Sequence, residues 1–392
     1  MKRLAIVVTH PIQHFSPWFK ALSEVPDLHL RVFYGKRHGA EIGLDTEFGR
    51  EFAWDIPLLE GYEFEFIENN SNRIGMDTGF FSIWMHDLLH KLRSFQPHAV
   101  MILGWYPFCY WQAAYHAVRM GIPYFIRGES NLLQNGGSIR WNLKYLTIGH
   151  LCRKASCCFA IGTRNATLYE AYGISSNRIR MAPYFVDNKR FGNLATHLRP
   201  KRLALRQEFG LPVEGTVFLF VGKLIPKKHP QDLLYAYLSL PLEVRKKVNL
   251  LFVGDGVMRE KVQKIADGHP NVRIHGFLNQ SKIPEVYALS DVLVLPSDSG
   301  ETWGLAVNEA MASGLPAVVS DHVGCAPDLV LDDKTGFVFP CGDIDSLAEV
   351  MKRFVHHPEK VITLGENAKK HVQNFSIERC VNEVVAALKD VV

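Results

Sequence analysis

Short, branched apolar runs alternate along this chain with stretches of helical periodicity, and the alternation stops and restarts once. In the first half the runs are "LAIVV", "LHLRVFY", "HAVMILG", "IPYFIR", "CCFAIG" and "RIRMAP", with helical patterns such as 111–120 and 139–154 between them. After "PYFVDNKRFGNLATHLRP" the pattern resumes with "TVFLFVG", "VNLLFVG", "VRIHG", "DVLVLP", "PAVVS" and "TGFVFP". A strand apolar on both faces must be covered on both, which parallel sheets achieve with crossover helices. The pattern therefore predicts an α/β chain of two Rossmann-like domains facing each other across a cleft, joined near residues 187–203. The expected domains are 1–190 and 191–375. A closing helix near 377–388, apolar at Val381, Val384, Val385 and Leu388, is expected to pack back toward the N-terminal domain as a segment 376–392. Ligands of such sheets bind outside the carboxyl ends of the strands.

Length agrees with two cores: 392 residues, 47% hydrophobic and 21% charged, exceed what one ordinary core organises. The seven cysteines lack paired metal-ligand spacing and read as reduced thiols. The apolar run that follows "MKR" ends at Thr9-His10-Pro11, too early for a secretory signal, and no run is long enough to span a bilayer. The expected location is the cytoplasm, with room for peripheral association at the inner face of a membrane.

Charge is uneven. Residues 1–200 carry 22 Lys and Arg against 16 Asp and Glu, and the remainder 22 against 24. Arg140, Lys144, Arg153, Lys154 and Arg164 meet no acid before Glu170. That stretch is either a solvated face or a surface facing phosphates, of an anionic membrane or an anionic acceptor. Nucleic acid is not an expected partner.

Two segments carry chemistry. "FVGKLIPKKHPQDLL" places Gly222 at a strand end, Lys223 after it and Lys228 just before a helix that Pro230 can start. Two cations and a helix N-terminus make an anion site, although the Walker A spacing is absent. "FVGDG", with Gly254 and Gly256, is explained by turns that need positive φ. "SDSGETWGLAVNEAMASGLP" follows a strand and sets Glu301 in a loop and Glu309 two turns into the next helix.

Together with "NVRIHGFL" and "DKTGFVFPCGD", these segments in this order resemble the C-terminal domain of retaining nucleotide-sugar glycosyltransferases of family four, which have the GT-B fold. The resemblance covers about residues 205–375 and includes the family's Glu-x7-Glu element. It implies that Glu309 binds the ribose hydroxyls of the donor and that Glu301 orients its sugar. It also implies that the amides of Gly304, Leu305 and Ala306 face the diphosphate, with Thr302 and Trp303 in the same loop. Lys223 and Lys228 would neutralise the departing diphosphate without a metal ion, Gly222 and Gly254 would belong to the donor-binding set, and the backbone around His275 and Gly276 would hold the base. No cofactor is implied beyond the nucleotide sugar. Relatives commonly carry Arg where Lys223 stands.

The N-terminal half departs from the family pattern. "THPIQHFSPWFKAL" fills the first turn with His10, Gln13 and His14, where many relatives have a Gly-Gly loop; these are the candidate acceptor-binding residues. "IPYFIRGESN" offers Glu129 where a histidine is common. Glu129 would orient a sugar hydroxyl, or else pair structurally with Arg127, Arg140 or Arg164. The aromatic run "LGWYPFCYWQ" reads as strand-end packing or as a wall contacting sugar or lipid. The expected activity is transfer of a hexosyl or N-acetylhexosaminyl group from a nucleotide diphosphate sugar, a UDP-sugar first, to a hydroxyl of a glycan or lipid-linked glycan. The alternatives are a sugar-nucleotide epimerase, a glycan phosphorylase, for which no pyridoxal-lysine motif is seen, and a non-catalytic sugar-nucleotide-binding subunit.

Overall fold

The computed structural model describes residues 1–45, 50–68, 79–134 and 137–391. They form two compact units, one of residues 1–45, 50–184 and 377–391 and one of residues 185–376.

The strands, in chain order, are β1 (Lys2–Val8), β2 (Leu28–Tyr34), β3 (Gly43–Asp45), β4 (Arg50–Phe52), β5 (Glu63–Phe66), β6 (Ala99–Ile102), β7 (Tyr124–Ile126), β8 (Cys157–Ala160) and β9 (Ile179–Met181) in the first unit. Seven of these make a parallel sheet of order β5-β2-β1-β6-β7-β8-β9, and β3 and β4 form a separate antiparallel pair. The interior strand β1 pairs Leu4 with Ala99 on one side and Leu30 on the other, and its residues Leu4 to Val8 are buried. The helix Ile377–Val391 belongs to this unit. It packs on the helix Ser16–Ser23, receives a hydrogen bond from Lys2 Nζ at the Leu388 carbonyl (3.1 Å), and is tied to β9 by the Arg180–Glu383 pair (3.3 Å).

The second unit holds β10 (Thr216–Val221), β11 (Val248–Val253), β12 (Val272–His275), β13 (Val292–Leu295), β14 (Ala317–Ser320) and β15 (Gly336–Phe339). They form a parallel sheet of order β12-β11-β10-β13-β14-β15, reversing direction at β10, where a doubly wound sheet opens its ligand crevice. Phe218, Phe220, Leu250, Phe252 and Val294 of these strands are buried against Leu233, Leu234, Leu347 and Phe354 of the covering helices.

Three local expectations need correction. The edge strand β5, "EFEF", was absent from the apolar runs because an edge strand keeps an exposed side and alternates charge with phenylalanine. The helix expected over 139–154 is two helices, Ser138–Leu146 and Ile148–Lys154. At the break, Thr147 sends both its backbone N–H (3.0 Å) and its hydroxyl (2.7 Å) to the Leu143 carbonyl, a competition that bends helices. The segment read as a linker contains the helix Asn188–Leu198, capped by Asp187 through the Arg190 amide (2.9 Å). Buried Asn188 anchors it to the carbonyls of Val372 and Phe375.

Among the described residues no helix is long and apolar enough to cross a membrane, and no disulfide joins the seven cysteines.

Candidate functional site

In the second unit the two chemistry-bearing segments come together at the carboxyl ends of β10 and β13. After Gly222 the chain makes a 3-10 turn, Pro226–Lys228, and His229 then takes a left-handed conformation (φ +48°) before the helix Pro230–Ser239. The residue before a proline is disfavoured in the right-handed helical region, which excludes His229 from the helix that follows, and its left-handed backbone turns the chain. That turn brings Lys228 back over Gly222, where an added Cβ would lie 3.7 Å from the lysine Cε. Lys228 Nζ donates to Glu301 Oε2; the two side chains are only 16% and 13% exposed.

The loop after β13 is fastened to this turn at several points. The Asp298 amide donates to the Lys227 carbonyl (2.9 Å), and His229 pairs with Asp298 (3.5 Å) and with Asp232 (3.1 Å). Asp298 in turn accepts from the Gly300 amide (2.6 Å) and offers its carbonyl to the Glu301 amide (3.0 Å). From the other side the amides of Gly324 and Cys325 donate to the carbonyls of Glu301 (3.0 Å) and Trp303 (2.9 Å). A Cβ on Gly324 would meet the Thr302 carbonyl at 1.7 Å, so this close approach requires glycine. Thr302 is thus held by its backbone.

Gly304, at φ +104°, opens the helix Leu305–Ala312, and no side chain caps that end. Its first amides and positive dipole end are the expected partners of an anion. Trp303 differs from expectation: its side chain is buried, donating to Asn308 Oδ1 (2.7 Å), so only its backbone belongs to the loop.

Two turns along, Glu309 accepts a hydrogen bond from the buried Tyr287 hydroxyl (2.6 Å). Burial pushes its pKa up to about 7, against the opposing pull of Tyr287, Arg190 and Gln280. Arg190 reaches this corner from the helix in the supposed linker and binds Gln280 through its side-chain oxygen (3.0 Å) and its carbonyl.

Gly254 has a packing reason to be glycine, because a Cβ there would meet the Gly222 carbonyl at 2.0 Å. The close approach joins the ends of β10 and β11, and it puts Lys223, the residue after Gly222, beside the same junction. His275 ends β12, exposed, with its Nδ1 3.2 Å from the Gly276 carbonyl and its ring against Phe209; Gly276 lies beside the Arg259–Asp255 pair.

The first unit brings Glu129 and His14 together through a residue that the sequence reading missed. The Tyr184 hydroxyl donates to Glu129 Oε1 (2.7 Å) and lies 3.0 Å from His14 Nε2. Fully buried Arg127 stands 3.6 Å from the same carboxylate and 4.7 Å over the Tyr184 ring. Burial and the Arg127 charge lower His14 to about 3, so it is neutral and its Nε2–H donates to the tyrosine oxygen. Desolvation raises Glu129, while Arg127 and the tyrosine hydrogen bond act the other way; its side chain keeps 37% exposure. Of the structural partners considered for Glu129, the ion pair is with Arg127. His10 is separate, its Nδ1 2.8 Å from the Thr9 hydroxyl and its ring 5.3 Å from that of His38. Gln13 lies half-buried in the turn between these histidines.

Tyr184, Tyr287, Gln280 and Arg190 carried no motif signal. Only the helical period of 283–289 could have marked Tyr287 as inward-facing.

Residues 201–371 match the family model described as glycosyl transferases group 1. The sulfoquinovosyl transferase SQD2 of Arabidopsis thaliana is 31% identical over 211 residues, 53% of this chain and 39% of that protein. The D-inositol 3-phosphate glycosyltransferase of Streptomyces griseus is 33% identical over 214 residues, 52% of this chain and 44% of that protein. The chain thus spans less than half the length of these relatives. Among solved structures, the Anabaena HepE protein in complex with UDP and glucose superposes with a TM-score of 0.74 at 17% identity, covering all of both chains. WaaG, a glycosyltransferase involved in lipopolysaccharide biosynthesis, gives 0.67 at 16% identity over 94% of this chain and 95% of that one. By these matches residues 201–371 carry the group 1 glycosyl transferase segment, within a chain whose fold is GT-B.

Proposed function

We propose that the protein is a retaining glycosyltransferase that moves a hexosyl or N-acetylhexosaminyl group from a nucleotide diphosphate sugar to a hydroxyl of a glycan or lipid-linked glycan. The observation that carries this reading is the Lys228–Glu301 pair, held beside the uncapped amide end of the helix that bears Glu309. Relatives named as glycosyltransferases, and a structural neighbour solved with UDP, support the class and favour a UDP-sugar.

On this reading Lys228 exchanges its contact with Glu301 for the diphosphate. With Lys223 and the amides of Leu305 and Ala306 it stabilises the negative charge that grows as the glycosidic bond breaks, and Glu301, released from the cation, accepts hydrogen bonds from the donor sugar. Glu309 holds the ribose hydroxyls with its two acceptor oxygens, oriented by Tyr287. Lysines and a helix terminus supply the positive charge, so the chemistry is proposed to need no metal ion. Glu129, with its exposed edge, orients the donor sugar or the attacking hydroxyl, and the turn bearing His10, Gln13 and His14 contributes to acceptor recognition. The protein is proposed to work in the cytoplasm.

Incubating the purified chain with UDP-sugars and following released UDP and the anomeric proton of the product by NMR tests the reading. Net retention in the absence of added metal is the expected result. Donor binding without turnover across a panel of acceptors would return the protein to a non-catalytic binding role, and conversion of the donor sugar to its epimer would make it an epimerase.

A further inference from the structure

The first unit contains a cavity of about 480 Å³ lined by Phe80, Phe81, Trp105, Phe108, Trp111 and Leu143 among others, with no charged side chain among the described residues of its wall. Small-molecule pockets commonly span about 300–1,000 Å³ and place a few polar groups among apolar ones. This one is almost wholly apolar, which suits a hydrocarbon chain and not a sugar.

Its inner wall adjoins the candidate site. The Trp105 ring lies so close to Gly128 that an added Cβ would meet it at 2.0 Å, and Gly128 immediately precedes Glu129. Trp105 is fixed there by its own carbonyl, which accepts from the Trp111 indole (2.9 Å).

The helix Ser138–Leu146 contributes Leu143 to the lining, and its described side chains are all exposed or half-exposed. Ile139 (83% exposed), Leu143 (63%) and Leu146 (67%) follow the spacing of one helical face, and Leu143 leads that stripe into the cavity beside Phe81 (64%). Interleaved with the stripe are Arg140, exposed, and Lys144, in a stretch with no acidic residue between Glu129 and Glu170. An apolar slot lined by a helix that also carries Arg140 and Lys144 complements an anionic amphiphile.

We propose that this cavity holds the hydrocarbon chain of a lipid-linked acceptor, whose anionic linkage lies against Arg140 and Lys144 and whose hydroxyl end is directed toward Glu129. The proposal rests on the transferase reading and narrows its acceptor to a lipid. A bilayer surface could offer the same chemistry; the contact of Trp105 with Gly128, next to Glu129, favours a single chain whose reacting end lies at that strand end.

The test titrates the full chain with octyl and decyl phosphate below their micelle concentrations, following Trp105 and Trp111 fluorescence, with a parallel calorimetric titration of UDP. Saturable one-to-one binding is expected. Decyl should bind roughly fifteenfold more tightly than octyl phosphate, since each of the two additional buried methylenes contributes about a fourfold gain. Leu143→Asp, at an exposed helical position, should weaken decyl phosphate binding at least about tenfold without changing the UDP affinity. Absence of saturable binding, equal binding by Leu143→Asp, or association with phosphatidylglycerol vesicles without uptake of the monomeric amphiphile would each overturn the proposal. Failure of the wild type to bind UDP while decyl phosphate still binds would instead count against the transferase reading.

Discussion

Glu301 and Glu129 are both partly accessible carboxylates at strand ends, but their surroundings differ. Glu301 sits in a loop whose backbone is fixed on both sides, and its counter-charge, Lys228, lies on a neighbouring turn held by Asp298 and His229. Glu129 has a cation locked in the core, Arg127, and a tyrosine hydroxyl that joins it to a neutral histidine. A lysine on a turn can exchange one anion for another, whereas a fully buried guanidinium holds its carboxylate in place, because exposing either charge alone is costly. The comparison suggests that the second unit is built to release a charge pair to a ligand and the first to hold one rigidly.

The largest effect should come from breaking the exchangeable pair. Lys228→Ala is expected to lower kcat on the order of a hundredfold with a smaller change in the donor KM, the signature of an interaction made mainly in the transition state. Steady-state kinetics with the preferred donor checks this, and a pure KM effect would place Lys228 in ground-state binding. The same assays with EDTA should show undiminished transfer; loss restored by magnesium or manganese would refute the metal-free account.

Glu309→Ala, titrated at about pH 8 where the carboxylate is ionised, should weaken nucleotide affinity by about ten- to a hundredfold, as expected for hydrogen bonds to a charged acceptor. Calorimetric titration decides it, and unchanged affinity would remove Glu309 from the ribose site.

The rigid pair calls for two variants. Glu129→Gln should reduce transfer about tenfold, a barrier change of about 1.4 kcal/mol, with UDP affinity retained. Tyr184→Phe removes the hydroxyl's hydrogen bonds to Glu129 and His14 and leaves the carboxylate, so it should lower the melting temperature by a few degrees while transfer persists. Equal losses of stability in both variants with wild-type transfer would make Glu129 a structural partner of Arg127 alone.

The smallest effect is a pH dependence. Glu309 is raised from 4.5 to about 7 in the folded chain, so the native state binds more protons than the unfolded state between those values. Its contribution to stability is full below about pH 4.5 and declines as pH rises through about 7. The melting temperature of the wild type should therefore fall relative to that of Glu309→Gln between about pH 5 and about pH 8, by a few degrees. Parallel curves would mean that the carboxylate is solvated in the free protein.

Much of the architecture was legible because strand periodicity and burial are local properties. All the strands of the second sheet stand where apolar runs end in turn residues, and the Glu301 and Glu309 spacing fixes a loop and a helix without reference to the rest of the chain. The failures were equally local in cause. "EFEF" lacks an apolar run because one side of it is exposed, and the helix Asn188–Leu198 has few apolar residues for its length.

What the sequence by itself determined is the doubly wound pattern in each half, the order of the phosphate and carboxylate segments, and the acid-free basic stretch at 130–169. What only the tertiary structure decided is which groups meet: Tyr184 with Glu129 across 55 positions, Lys228 with Glu301 across 73, and Tyr287 with Glu309 across 22. Backbone periodicity is written in neighbouring residues, whereas the protonation of Glu309, the neutrality of His14 and the apolar cavity behind Trp105 depend on burial and on charges brought in from distant segments, which no local pattern records.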